Sequence, residues 1–185
     1  MYLIAGLGNP GSRYSQSRHN VGFMLADRLA RRWNLNFCKF SSRALVARGS
    51  AAGRDVLVVK PLTFMNLSGM AVAELVRYYR IEPGACLVVY DEAALPLGKI
   101  RFRPGGTSGG HRGMQSVIDC LGTTDIPRLR IGVRTLREIP DLADYVLGNF
   151  EPDEREILEQ TLDRCEEGVE SYLAQGMERT MALFN

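Results

Sequence analysis

The chain has 185 residues, enough to bury one sizeable core, and its 45% hydrophobic and 24% charged residues are ordinary globular composition, which excludes a disordered or fibrous protein. No apolar run approaches the ~20 residues of a membrane helix, and no signal peptide precedes the first strand, so a cytoplasmic protein without membrane contact is expected. The net charge is only +2, and the four cysteines (Cys38, Cys86, Cys120, Cys165) are scattered without CxxC or Cys/His pairing, which suits buried free thiols rather than disulfides or a metal site.

Residues 2–7 read as a buried strand that empties into the loop Gly6-Leu7-Gly8-Asn9-Pro10-Gly11. His19 and Asn20 then head a helical pattern, with Val21, Leu25 and Leu29 on one face to about Arg32. Residues 37–48 and 54–60 predict two strands joined by a turn at 49–53, residues 62–66 a loop, and 67–80 a second helix. Cys86-Leu87-Val88-Val89-Tyr90 is a strand buried on both faces, ending at Asp91-Glu92. Residues 99–103 alternate basic and apolar, as a half-exposed strand does. A glycine-rich loop over 104–110 precedes His111 and a helix to 121, followed by a strand at 129–133 and a short extended piece at 145–150. A long helix from about 152 to 174 and a final short one complete an acidic helical segment at about 151–185. Strands alternating with helices, with one early hairpin, predict a single α/β/α domain over 1–185. Its centre is a mixed, mostly parallel twisted sheet.

The charge is unevenly placed. From Leu95 to Arg134, seven basic residues (Lys99, Arg101, Arg103, Arg112, Arg128, Arg130, Arg134) stand against two acids. Arginines alternating along a strand present one face to a polyanion. From Phe150 to Asn185, ten acids stand against three arginines, which reads as a solvated helix face.

Two motifs mislead. Gly6-x-Gly8-x-x-Gly11 spells the dinucleotide fingerprint, but Pro10 interrupts the loop, the helix opens too late, and Asp27 lies on a helix instead of ending a second strand. Gly106-Thr107-Ser108-Gly109-Gly110 spells a nucleophile elbow, yet one histidine follows Ser108 by only three residues and the other precedes it. The informative set is different. Asn9, Asn66 and Asp91 follow strands or adjoin them, and His19 and His111, the two histidines of the chain, begin helices. A carboxylate at the end of a buried strand needs a partner, and histidine is the natural one; capping of the next turn is the alternative. A His–Asp pair without a credible serine or cysteine nucleophile points to a histidine that activates water, with asparagine amides orienting a carbonyl or an oxyanion. On residue chemistry alone this is a hydrolase of an ester or amide with an anionic substrate.

Several longer motifs resemble the bacterial peptidyl-tRNA hydrolase family: Gly6-Leu7-Gly8-Asn9-Pro10-Gly11, Tyr14, Arg18-His19-Asn20-Val21-Gly22, Lys60-Pro61-x-Thr63-Phe64-Met65-Asn66-x-Ser68-Gly69, Tyr90-Asp91, Leu95-Pro96-x-Gly98, Gly109-Gly110-His111, Arg128-Leu129-Arg130-Ile131-Gly132 and Val146-Leu147-Gly148. The resemblance implies a monomeric α/β/α enzyme without metal or cofactor that cleaves the ester between a peptide and the 3′ end of tRNA, recycling peptidyl-tRNA released from ribosomes. It implies His19 as the base, Asp91 as its orienting carboxylate, and Asn9 and Asn66 as holders of the peptide and terminal adenosine. Tyr14, Phe64 and Met65 would line the cleft, and Arg101, Arg103 and Arg130 occupy basic tRNA-contact positions. Two departures stand out. Arg112 replaces the family's asparagine, and could bind a 3′-terminal phosphate or the oxyanion, or point to solvent. The family's acid-rich run after the aspartate is reduced to Glu92-Ala93-Ala94. Arg112 motivates one alternative, an RNA-binding protein that has lost catalysis on the same scaffold; Ser108 motivates another, a serine esterase. His111 reads as structural or substrate-adjacent.

Overall fold

A computed structural model describes residues 1–41, 43–135, 139 and 141–185. Seven strands form one sheet in the order β2-β3-β4-β1-β5-β7-β6, with β1 Tyr2–Gly6, β2 Cys38–Phe40, β3 Ala44–Ala51, β4 Arg54–Pro61, β5 Cys86–Pro96, β6 Ile100–Arg103 and β7 Arg128–Arg134. The centre, β4-β1-β5-β7, is parallel; β2 and β3 on one side and β6 on the other pair antiparallel. The helices are α1 Val21–Arg32, α2 Ser68–Tyr78, α3 Arg112–Leu121, α4 Leu142–Leu147, α5 Arg155–Gln175 and α6 Met177–Phe184.

Alternation along the central strands sorts side chains into two cores, because successive residues point to opposite faces. Ile4, Val58, Leu87 and Val89 pack with Leu25 and Leu29 of α1 and Leu162 and Val169 of α5. Leu3, Ala5, Val59 and Val88 pack with Val72 and Leu75 of α2 and Val117 of α3. Each fully buried aliphatic side chain contributes about 1.5–3 kcal/mol, so burial on both faces is what holds the parallel strands in place. At the β6 edge, the Asn185 side chain pairs with both backbone groups of Phe102 (2.7 and 3.1 Å), filling part of an otherwise open ladder.

The predicted α/β/α architecture is present, with local corrections. The expected strand 37–48 is two strands, so the early hairpin is a three-stranded meander; Ser41, between β2 and β3, takes a left-handed φ of 56°, a turn conformation. The strand expected to end at Asp91-Glu92 runs on to Pro96, with a register irregularity between Glu92 and Pro96. Of the piece at 145–150, the first half belongs to the helix Leu142–Leu147, capped by the Asp141 side chain on the Asp144 N–H, and the second half is non-helical, with Asn149 in an antiparallel bridge to Ser17. Of the four cysteines, all free, Cys86 and Cys165 are buried, but Cys38 is exposed and Cys120 only partly covered; burial pushes the Cys86 thiol up to about 12. The acidic face of α5 is not simply solvated. Glu159, Asp163 and Glu166 bond the Arg28 guanidinium, and Glu166 and Glu170 bond Arg32, tying α5 to α1.

Candidate active site

The parallel strands β4, β1 and β5 deliver three loops to one edge of the sheet, where open α/β folds bind ligands. β1 leads to Asn9, β4 leads to the 3-10 turn Met65–Leu67, and β5 carries Asp91 two residues past Val89, the register partner of Gly6. His19 comes from the 3-10 turn Arg18–Asn20 that opens α1. That turn reaches the sheet edge because two glycines let backbone touch backbone. A Cβ on Gly22 would lie 2.5 Å from Leu7 N and O, and one on Gly6 would lie 2.1 Å from Gly22 O. Asn20 then locks the β1 loop: its Oδ1 accepts from Asn9 N–H (2.8 Å) and its Nδ2 donates to Asn9 O (2.9 Å). Asn9 Oδ1 accepts from the Met65 N–H (2.8 Å), which fixes the amide and leaves its NH2 without a partner among the described residues.

His19 Nδ1 lies 2.8 Å and His111 Nε2 lies 3.0 Å from the same oxygen, Oδ1 of Asp91. The protons follow from one further bond. His111 is the N-cap of α3, and its Nδ1 accepts the Met114 N–H (3.1 Å), so the ring proton sits on Nε2 and points at Asp91. With His19 Nδ1–H as the second donor to the ionised carboxylate, the lone pair of His19 is on Nε2, away from Asp91. The three groups place ligand atoms within 4.8 Å of one another. The donor set does not suit a metal, however: binding at His111 Nε2 would displace that proton to Nδ1 and orphan the helix cap.

Burial pushes the Asp91 carboxyl up, but the His111 and His19 imidazoles more than offset this and hold it well below the usual carboxylate range. The folded state therefore binds this proton more weakly than the unfolded chain, whose carboxyl titrates near ~3.9. The resulting stabilisation is complete above that pH and is lost as pH falls below it toward the folded-state value. Asp91→Asn should thus be most destabilising at neutral pH, and its deficit in urea melts should shrink between about pH 4 and pH 2. A deficit independent of pH would show that the carboxylate gains nothing from its partners.

The other predicted residues fall into three groups. Tyr14, in the turn Ser12–Tyr14, is partly exposed, and Phe64 is 60% exposed, so both offer ring faces. Asn66 and Arg112 are exposed together along a groove between α2 and α3 that includes Leu67 and Met70. Met65, by contrast, is buried beneath the site: a Cβ on Gly113 would lie 2.4 Å from its Sδ. On the β6–β7 ladder, Ile100 and Phe102 enter the core with α5, while Arg101 and Arg103 face the other way, opposite Arg130 and Arg128 in register. These four arginines are not equivalent. Arg128 is buried and donates to the carbonyls of Thr107, Thr124 and Ile126; Arg130 is paired with Glu92. Arg101 and Arg103 have no ion pair among the described residues. Ser108 Oγ donates to Gln115 Oε1 (2.7 Å) rather than to an imidazole, against the serine-esterase reading.

Sequence reasoning left the roles of three supports unassigned. Asn20 was legible only as the neighbour of His19. Arg18 is buried, stacks 4.3 Å from the Tyr145 ring centroid and pairs with Glu154 (2.8 Å). His111 completes the Asp91 site, and its position at the head of a helix was the available signal.

A buried carboxylate hydrogen-bonded to two imidazoles, at the C-terminal edge of a sheet covered on both faces, is the site of an α/β protein. The family model for peptidyl-tRNA hydrolase matches residues 3–185. Peptidyl-tRNA hydrolases of Carboxydothermus hydrogenoformans and Gloeobacter violaceus are 48% and 47% identical, over 100% and 99% of this chain and 98% and 93% of theirs. A crystal structure of a variant peptidyl-tRNA hydrolase from Acinetobacter baumannii superposes with a TM-score of 0.91 at 34% identity, covering 98% of this chain and 93% of that one. The chain belongs to the peptidyl-tRNA hydrolase family. Among its described residues no helix is long and apolar enough to cross a membrane.

Proposed function

We propose that the protein hydrolyses the ester between a peptide or N-acyl-amino acid and the 3′ end of tRNA, with His19 Nε2 as the general base. The carrying observation is the proton assignment at Asp91, which leaves Nε2 as the basic nitrogen. His19 takes a proton from water as the hydroxyl adds to the ester carbonyl. Asp91 supports the imidazolium, and the unpartnered amide of Asn9 donates to the carbonyl oxygen as it becomes an oxyanion. Collapse expels the ribose 3′-oxygen, which takes the proton back from His19. The products are a free peptide carboxyl and a tRNA 3′-hydroxyl, so no further co-reactant is needed. Exposed Asn66 and Phe64 and the half-buried Tyr14 hold the peptide and the terminal adenosine, and Met65 shapes the floor beneath them. Arg112, exposed beside Asn66, contacts the same end of the substrate.

Arg101 and Arg103 bind tRNA phosphates, with Arg130 beside them under the restraint of Glu92. Phosphate contacts are blind to sequence, which suits a substrate class comprising many tRNAs. We propose that the enzyme works in the cytoplasm as a single 1–185 domain and as a monomer, because every group named is supplied by one chain; sedimentation velocity reads the last point directly. The test of function is release of N-acyl-amino acid from N-acylaminoacyl-tRNA, run across a salt series. The wild type should cleave it. Arg101→Ala and Arg103→Ala should raise KM and flatten its salt dependence, each by about one counterion's worth of slope, with kcat little changed. Binding of the tRNA without cleavage by the wild type would overturn the assignment in favour of a binding protein.

A further inference from the structure

We propose that His111 is a positioning residue for this reaction: its Nε2–H, fixed by the helix cap on its other nitrogen, orients the Asp91 carboxylate toward His19 and shares its charge. One ring spans two tasks. Asparagine, serine or aspartate would satisfy the cap as well as histidine does, but their side chains are too short to reach Asp91 as well. The ring is held by its neighbours, with centroids 4.5 Å from Tyr90 and 5.2 Å from His19. The backbone that carries it is pressed onto the site floor, since a Cβ on Gly113 would meet Met65 Sδ at 2.4 Å, Leu7 Cδ1 at 3.0 Å and His111 Cε1 at 3.1 Å.

The charged and titratable groups around Asp91 are few. His19 faces it from the turn before α1 and His111 from the head of α3. Tyr90 and Glu92 flank it on β5, and on β7 Arg130 is engaged by Glu92. The turn Met65–Leu67 contributes no charge. A carboxylate oxygen that accepts two N–H bonds binds each imidazole less tightly than one that serves a single donor. His111 therefore keeps Asp91 from holding the His19 imidazolium so firmly that it fails to return its proton to the leaving oxygen.

Two variants separate the roles. Asparagine at 111 keeps the cap and drops the donor, whereas glutamine keeps a donor of nearly the same reach and weakens the cap. His111→Asn should move the acid limb of the kcat/KM profile upward by about half a pH unit or more and lower kcat roughly 3- to 10-fold. His111→Gln should leave the limb within about 0.2 pH units of wild type while lowering Tm by a few degrees. An unmoved limb in His111→Asn, or an equal shift in both variants, would show that His111 is only a helix cap.

A readout independent of turnover uses the two histidines of the chain, whose ring nitrogens are resolved by long-range 1H–15N NMR. The wild type should show His111 protonated at Nε2 alone and His19 protonated at Nδ1; a proton on His111 Nδ1 at neutral pH would overturn the proposal. The inference rests on His19 as the base, and the two failures differ. If His19 is not the base, His19→Ala stays active. If only the present proposal is wrong, His19→Ala is inactive and His111→Asn behaves as wild type.

Discussion

His19→Ala should leave a folded protein whose kcat/KM on N-acylaminoacyl-tRNA is lower by roughly 10²- to 10⁴-fold, the usual contribution of a positioned general base. The loss should fall mainly on kcat, because Arg101 and Arg103, to which the phosphate contacts are proposed, lie on β6 and not in the turn that carries His19. Folding should survive because the substitution does not orphan Asp91. The carboxylate keeps the His111 Nε2–H at 3.0 Å, and the His19 side chain is 14% exposed and leaves no sealed void. Melting temperature and tRNA affinity should stay close to wild type, and turnover within a few-fold of wild type would disprove the assignment of the base.

The second large effect is on stability. Arg18→Met should lower stability by about 3 kcal/mol and Tm by roughly 6–12 °C. Arg18 and Glu154 are both nearly buried, at 6% and 7% side-chain exposure, so removing the guanidinium strands a carboxylate in the interior. The arginine also donates to Asn149 O (2.6 Å) and stacks on the Tyr145 ring, so it joins the turn carrying His19 to the segment before α5. Arg18 Nε and Glu154 Oε1 lack partners among the described residues, which places the cost at the lower end of the usual range for breaking a buried pair. Adding Glu154→Gln should recover at least half of the loss, since Gln is neutral and can still accept the Glu151 N–H that Glu154 now receives (2.8 Å). A melting shift below about 2 °C in Arg18→Met would mean that the pair is stabilised by little more than its surroundings.

How far the sequence disclosed this site depends on which forces act locally. The apolar runs of β1 and β5 predict buried parallel strands, and parallel neighbours bring their C-terminal ends together, so Asn9 and Asp91 could be placed on one edge. His19 follows because a helix leaving β1 must turn back over that edge. The arginines show the limit of what alternation dictates. Alternation along β6 and β7 puts Arg101, Arg103, Arg128 and Arg130 on one face, but alternation says nothing about length and reach. Arg128 turns inward to three carbonyls, and Arg130 meets Glu92. Arg18 gave no sign of burial, because its partner lies 136 positions away. His111 was equally opaque. Its bond to Asp91 depends on α3 crossing the edge close to β5, which is set by the fit of Gly113 against Met65 rather than by any pattern along the chain. The helix at Leu142–Leu147 was missed because its capping Asp141 resembles a loop residue unless the short turn after it is already known.

The pairing of α5 with α1 also bears on how a nucleic acid would approach. Glu159, Asp163, Glu166 and Glu170 face the guanidinium groups of Arg28 and Arg32, so much of the negative tail is neutralised at close range. Arg101 and Arg103, on the opposite side of the sheet, have no such counterions among the described residues. Within a Debye length of about 8–10 Å the paired face contributes a weaker field than unpaired arginines do. If the proposed phosphate contacts hold, a tRNA would meet its strongest attraction at the β6 edge only at close range, and the small net charge of the whole molecule would be a poor guide to that local field.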